Sequence, residues 1–167
     1  MNRIAAVQRN AWRILISVLA TVPILTWAEQ YTVTVKVTVI APTPCVINDN
    51  RPIEVEFGEV MTTRVDGRDY KKMPVNYTLT CTNPPSNALK LQVRGNGAGF
   101  DSKVLRTNKP ELGIQLLQGD NKLAINDWLK FSYQNKPELW AVPVKQSGAN
   151  LTGGEFWAGA TMAINYQ

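Results

Sequence analysis

The chemistry open to this 167-residue chain is narrow: it has two cysteines, Cys45 and Cys81, and no histidine. Without imidazole there is no His-based triad, no histidine zinc site and no proton shuttle working near neutral pH. Glu54 and Glu56 share one face of an alternating stretch, a spacing common on solvated surfaces, and no activated-serine motif accompanies them. Asp66 and Asp69 flank an Asp-Gly turn and read as solvated rather than metal-bound. Gly95-Asn-Gly-Ala-Gly99 has the look of a phosphate loop, but no Lys-Ser/Thr pair and no helix follow it, so it reads as a flexible turn. Trp128, Trp140 and Trp157 carry rings that can stack on sugars, although in a small domain such rings usually serve packing. The chain reads as a non-enzyme, with no catalytic residue, no metal site and no cofactor. The two cysteines remain, and they lack the Cys-x-x-Cys spacing of a redox site.

Their role depends on where the chain goes. Residues 1–28 read as a secretory signal peptide: Arg3, Arg9 and Arg13 form a basic start, Ile14 to Leu25 is apolar, and Thr26-Trp27-Ala28 ends in a small residue. The apolar run is about a dozen residues, short of the roughly 20 that a spanning helix needs, so no integral membrane anchor is expected. Cleavage after Ala28 leaves 139 residues, 29–167, enough for one domain. The precursor has 18 Lys and Arg against 13 Asp and Glu; three Arg leave with the signal, so the mature balance is 15 against 13, or +2. No basic cluster survives in the sequence, and nucleic acid is not an expected partner. In an exported chain an even cysteine count points to one disulfide, Cys45–Cys81. Closing that loop stabilises the fold by roughly 4 kcal/mol.

The elements that must position these residues are strands. Tyr31-Thr-Val-Thr-Val-Lys-Val-Thr-Val-Ile40 alternates with period two: Tyr31, Val33, Val35, Val37 and Val39 are apolar, and Thr32, Thr34, Lys36 and Thr38 are polar. That is a half-buried strand rich in β-branched residues, cut off by Pro42-Thr43-Pro44. Shorter alternating or apolar stretches follow between turn signals: Ile53–Phe57, Val75–Cys81, Leu89–Val93, Leu112–Leu117 and Leu139–Val144, the last with Pro143 suggesting an edge or a bulge. Asn48-Asp49-Asn50 and Thr82-Asn-Pro-Pro-Ser86 are breaks. The final run, Phe156 to Tyr166, places Phe156, Ala158, Ala160, Met162, Ile164 and Tyr166 on one face. Strands of this length between Gly, Pro and Asn predict an all-β sandwich.

Taken together, these residues resemble the subunits of fimbriae assembled by the chaperone–usher pathway of Gram-negative bacteria. The resemblance rests on the alternating N-terminal extension, the Cys just after it, a second Cys some 35 residues on, and a last strand with Gly154 fourteenth from the end and Tyr166 penultimate. It is nearest to minor or adaptor subunits of the type 1 and P pilus kind. It implies an incomplete immunoglobulin-like sandwich, a six-stranded pilin fold lacking its last strand, with three parts: signal 1–28, donor-strand extension 29–41 and pilin domain 42–167. It also implies the partners: a periplasmic chaperone, an outer-membrane usher and neighbouring subunits. Tyr31, Val33, Val35, Val37 and Val39 would plug the groove of a neighbour. Gly154, Phe156, Ala158, Ala160, Met162, Ile164 and Tyr166 would edge or line the chain's own groove, and Gln167 would supply a terminal carboxylate for the chaperone. The product would pass through the periplasm to a cell-surface fimbrium.

Burying five apolar side chains of the extension is worth roughly 7–15 kcal/mol before ordering costs. Ladder hydrogen bonds add about 0.5–1.5 kcal/mol each. The extension departs from many relatives in having Val37 about where they carry an inward Gly. Two other readings compete. A receptor-binding tip adhesin needs a lectin domain for which 139 residues leave no room. A self-sufficient secreted β-sandwich binding module would keep residues 31–40 as its own first strand. A secreted hydrolase is disfavoured by the missing histidines.

Overall fold

A computed structural model gives the fold of residues 45–167. The expected signal peptide, the 29–41 extension and residues 42–44 lie outside the described residues. The strands are β1 (Val46–Ile47), β2 (Met73–Val75), β3 (Leu79–Thr80), β4 (Ala88–Arg94), β5 (Gly97–Ala98), β6 (Asp101–Arg106), β7 (Leu112–Gln118), β8 (Asn121–Leu123), β9 (Trp128–Ser132), β10 (Leu139–Lys145) and β11 (Thr161–Tyr166). Among the described residues there is no α-helix, only short 3-10 turns at Asn48–Asn50 and Thr62–Arg64.

Two sheets enclose the core. In one, β4 runs between β11 and β9, all antiparallel. The register stacks inward residues in rows: Tyr166–Leu89–Phe131, then Ile164–Leu91–Leu129, then Met162 beside Val93. Leu89 and Leu91 are fully buried. The other sheet has the order β2-β10-β7-β6-β5, with β8 also on β7. It contributes Leu105, Ile114, Leu116, Leu139 and Ala141 to the same apolar cluster. β4 alternates between buried and more exposed positions, whereas β7 is buried from Leu112 to Leu117, so the second sheet is covered on both faces at its centre.

Several expected strands change their limits. Val75–Cys81 is split, because β2 bonds to β10 while β3 bonds to β1, and the chain changes sheet between them. Tyr77 sits at the crossing, buried, with its hydroxyl donating to the Pro137 carbonyl at 2.8 Å. The Lys136 ammonium donates to the Tyr77 carbonyl at 2.7 Å and lies 4.1 Å from the ring centroid. β10 is an interior strand between β2 and β7, yet β2 pairs only with Leu139–Ala141. Pro143 thus falls where one side of β10 is locally an edge and no donor is required. Within the Gly95–Gly99 stretch, Gly97 and Ala98 form β5, which pairs with β6 through a register irregularity.

Local turn chemistry follows the side chains. Asn48, Asp49 and Asn50 all have positive φ, of 47°, 52° and 60°, a conformation that Asn and Asp tolerate better than most residues. The Asn48 amide donates to the carbonyls of Arg51 and Pro52, fixing the exit of the turn. Asp66 accepts backbone N–H bonds from Arg68, Asp69 and Tyr70. These bonds, that of Arg68 foremost, hold its carboxyl below the usual range. The 61–72 loop lies against β10: a Cβ added at Gly67 (φ +71°) would stand 2.8 Å from Val144 Cγ2. The Cys45–Cys81 disulfide, Sγ–Sγ 2.03 Å, ties the approach to β1 to the end of β3.

Burial raises the Tyr77 hydroxyl above its ordinary pKa of 10.0. The folded state then holds the proton while the unfolded chain ionises, so this contribution is intact below pH 10 and is lost as pH rises beyond it. Tyr77→Phe should cost about 1–2 kcal/mol at neutral pH, by removing the bond to Pro137. It should also flatten the alkaline loss of stability; urea midpoints at pH 8 and pH 11 for both proteins check this.

Candidate functional site

The C-terminal run does not form one long strand. Only Thr161–Tyr166 pairs with β4; residues 156–160 have no ladder partner among the described residues. The same holds for residues 51–60, although Ile53, Val55 and Phe57 alternate with exposed Glu54 and Glu56 as expected of a strand. No backbone–backbone hydrogen bond joins residues 53–60 or 158–160 to another described residue. β11 is also the end strand of its sheet, so its edge away from β4 has no described neighbour.

Between these two segments runs a groove. One section, of about 720 Å³, is walled by Ile53, Val55, Phe156, Ala158 and Met162, with Leu105, Ile114 and Leu116 of the core as its floor. A second, of about 730 Å³, continues between residues 55–60 and 151–157. The walls meet where the rings of Phe57 and Phe156 lie 5.9 Å apart, and both rings face both sections. Floor residues are buried, whereas the wall residues are only half-buried. Among the described residues the hydrophobic core is therefore complete beneath the groove and only partly covered along this one seam.

Each wall is anchored to a different sheet. The 51–57 wall follows β1 through the left-handed Asn48–Asn50 turn and the disulfide. The 156–160 wall leads into β11 and is held at its other end by the turn after β6. Asn108 N–H donates to the Trp157 carbonyl at 3.1 Å, and the Trp157 N–H donates to Asn108 Oδ1 at 2.9 Å. One asparagine thus does for Trp157 what a neighbouring strand would do. Lys109 Nζ donates to the Gly153 carbonyl at 2.8 Å. Gly154 has φ +103°, a conformation that only glycine takes easily, and it turns the chain into the wall.

The residues singled out in the C-terminal run come together as follows. Phe156, Ala158, Met162, Ile164 and Tyr166 face inward and are half-buried; Ala160 borders the groove with its surface exposed; Gly154 is at the far end. Trp157, on the opposite face, is 70% exposed at the rim. Cys45 Sγ lies 3.6 Å from the Tyr166 hydroxyl, so the disulfide abuts the last strand. Gln167 extends the ladder, its N–H donating to Ala88, and its side-chain amide reaches the Leu89 carbonyl at 2.7 Å. Tyr31, Val33, Val35, Val37 and Val39 lie outside the described residues. The sequence reading missed the Asn108–Lys109 clamp, for which a polar turn after a strand carries no distinguishing signal.

A β-sandwich whose described residues leave a groove along the edge of the last strand matches the pilin architecture, an immunoglobulin-like fold one strand short. The chain belongs to the fimbrial protein family, whose model matches residues 32–167. It is 43% identical over 137 residues to the fimbrial-like protein YfcR of Escherichia coli (strain K12), covering 79% of this chain and 78% of that protein. Among solved structures, it is similar to the P pilus adaptor subunit PapF, with a TM-score of 0.57 and 25% identity over 76% of this chain and 98% of that one. The P pilus rod subunit PapA shares the fold, with a TM-score of 0.62 and 22% identity over 75% of this chain and 100% of that one.

Asn108→Ala should release the Trp157 end of the wall. The expected cost is about 0.5–1.5 kcal/mol, with faster hydrogen exchange at the Trp157 amide and little change at β4. Exchange measured residue by residue distinguishes this from global loosening.

Proposed function

We propose that this fimbrial subunit is a minor, adaptor-type subunit that joins its neighbours by donor-strand exchange. The observation that carries the reading is the open groove. Its floor is apolar and its walls offer backbone without a described partner. A strand satisfies both needs at once, through ladder bonds and alternate side chains. The adaptor assignment draws on the likeness to PapF.

In this reading a periplasmic chaperone first occupies the groove, anchored at the Gln167 carboxylate, and the extension of the next subunit replaces it at the outer-membrane usher. Tyr31, Val33, Val35, Val37 and Val39 fill the groove of the preceding subunit, after residues 1–28 have directed export and been removed. Five buried apolar side chains, worth roughly 7–15 kcal/mol before ordering costs, make a joint that opens very slowly. The uncovered seam is an aggregation hazard until it is filled, which is the physical need for a chaperone. The role is structural rather than enzymatic, and the destination is the cell-surface fimbrium. Among the described residues no helix is long and apolar enough to cross a membrane, and no group of three or more His, Cys, Asp or Glu could hold a metal ion.

Deleting residues 29–40 should leave a subunit that still binds its chaperone but cannot cap its predecessor; continued incorporation as a donor overturns the assignment. Val35→Asp should weaken the joint by several kcal/mol through a buried unpaired charge, read as fibre dissociation in detergent at a lower temperature. Ending the chain after Ala163 removes half of β11 and should abolish capture in a chaperone pull-down.

A further inference from the structure

The outer face of the β11-β4-β9 sheet carries a feature the groove does not explain. The register that sends Leu89, Leu91 and Val93 inward sends Lys90, Gln92 and Arg94 outward. Lys130 of β9 stands directly opposite Lys90, and Trp128 directly opposite Gln92. Like charges directly opposite on neighbouring strands are destabilising, so this pairing does not serve the sheet. Trp128 is 39% exposed, with Lys90 Nζ 5.1 Å and Arg94 Cζ 5.8 Å from its ring centroid. On the β11 side the rows end in neutral Asn165, Ala163 and Thr161. The two ion pairs among the described residues are Arg51–Asp49 and Lys72–Asp120, so none of Lys90, Arg94 and Lys130 is engaged in one.

The concentration of charge is local. Residues 45–167 hold 14 Lys and Arg against 12 Asp and Glu, a net +2. Lys90, Arg94 and Lys130 alone carry +3, so the rest of the described chain is close to neutral. None of the three is adjacent to another in sequence, which is why no basic cluster is visible there.

We propose that this face binds an anionic polysaccharide, with the cations of Lys90, Arg94 and Lys130 meeting successive carboxylate or sulfate groups and Trp128 supplying apolar contact to a sugar ring. The backbones of Lys90 and Arg94 are about 14 Å apart along β4, at roughly 3.4 Å per residue, but both charged ends lean over Trp128 and lie no more than about 11 Å from each other. With Lys130 beside Lys90 they form a compact trio that can meet neighbouring anionic groups of a polymer. The indole and the Thr161 hydroxyl suit the ring and hydroxyl groups of sugars, while the Gln92 amide, donating to the Asn126 carbonyl and accepting from Arg94 Nε, holds Arg94 in place. The site is on the face opposite the core and its groove, and does not rest on strand exchange.

Binding of the purified full chain to immobilised heparin and to polygalacturonate, at about 0.15 M salt, tests this. Lys90→Gln, Arg94→Gln and Lys130→Gln should each weaken binding several-fold and the triple variant should abolish it. Lys122→Gln, on β8 of the other sheet, removes the same charge and should change little. Trp128→Ala should lose roughly tenfold at unchanged net charge, with an unaltered melting temperature for Lys130→Gln showing that the fold persists. Undiminished binding by Trp128→Ala, or equal losses from Lys122→Gln and Lys130→Gln, would reduce the face to unspecific charge and overturn the site. Tighter binding to phosphatidylglycerol vesicles or to single-stranded DNA than to either polysaccharide would overturn it as well.

Discussion

A β-strand has two edges, and the backbone N–H and C=O groups along both must be satisfied by protein or by water. In this sandwich β11 gives one edge to β4 and turns the other toward the groove, with residues 53–57 across from it. Among the described residues side-chain packing borders that seam but supplies no ladder along it. The result is visible in the burial pattern: Leu91 and Ile114 beneath the groove are fully shielded, while Ile53, Phe156 and Met162 along it are only half-buried. Any stable occupant must bring backbone donors and acceptors at strand spacing together with alternating apolar side chains. A small apolar molecule could cover the floor but would leave the edges to water, and only a strand answers both.

An open seam of this kind tends to collapse, and the structure resists collapse by tying its walls to separate supports. The disulfide and the left-handed Asn48–Asn50 turn set the first wall relative to β3. Asn108, Lys109 and Gly154 set the second relative to the turn after β6. The Phe57–Phe156 contact is where the walls touch, and it divides the groove rather than filling it. The Asn108 clamp contributes little compared with the whole fold, whereas the disulfide contributes several kcal/mol. Stability and receptivity are thus controlled by different residues: Leu89 and Leu91 by their burial, Asn108 and Gly154 by their geometry.

The parts legible in the sequence were those with strong local pattern. Alternation identified β4 and the inward set of β11, apolar runs identified β7 and β10, and the two cysteines pair as expected. Alternation could not distinguish a strand with a ladder from one without, so Ile53–Phe57 and Phe156–Ala160 read as ordinary strands although their bonding differs. β5, β6, β8 and β9 were missed as strands. Gly97–Ala98 is a turn by composition and becomes a strand only because β6 lies beside it. Asp101-Ser-Lys reads as polar loop, and its pairing is settled by β5 and β7 rather than by its own residues. The clamp at Asn108 and the cation cluster around Trp128 bring together residues distant in sequence, and exist only once the sheets are in register.

The same register couples the two faces of β4. Leu89, Leu91 and Val93 point to the core and Lys90, Gln92 and Arg94 to solvent, and a slip of one residue would exchange them. Burial of the leucines fixes the inward set far more strongly than any surface interaction fixes the outward one. The arrangement of Lys90, Arg94 and Trp128 is therefore inherited from the core, and their side chains are free to vary without endangering the fold. The side that borders the groove needs a fixed geometry, with β11 held next to β4. The opposite side of the same strands carries no such demand, and three cations and an indole can collect there at the cost of only a weak cross-strand repulsion.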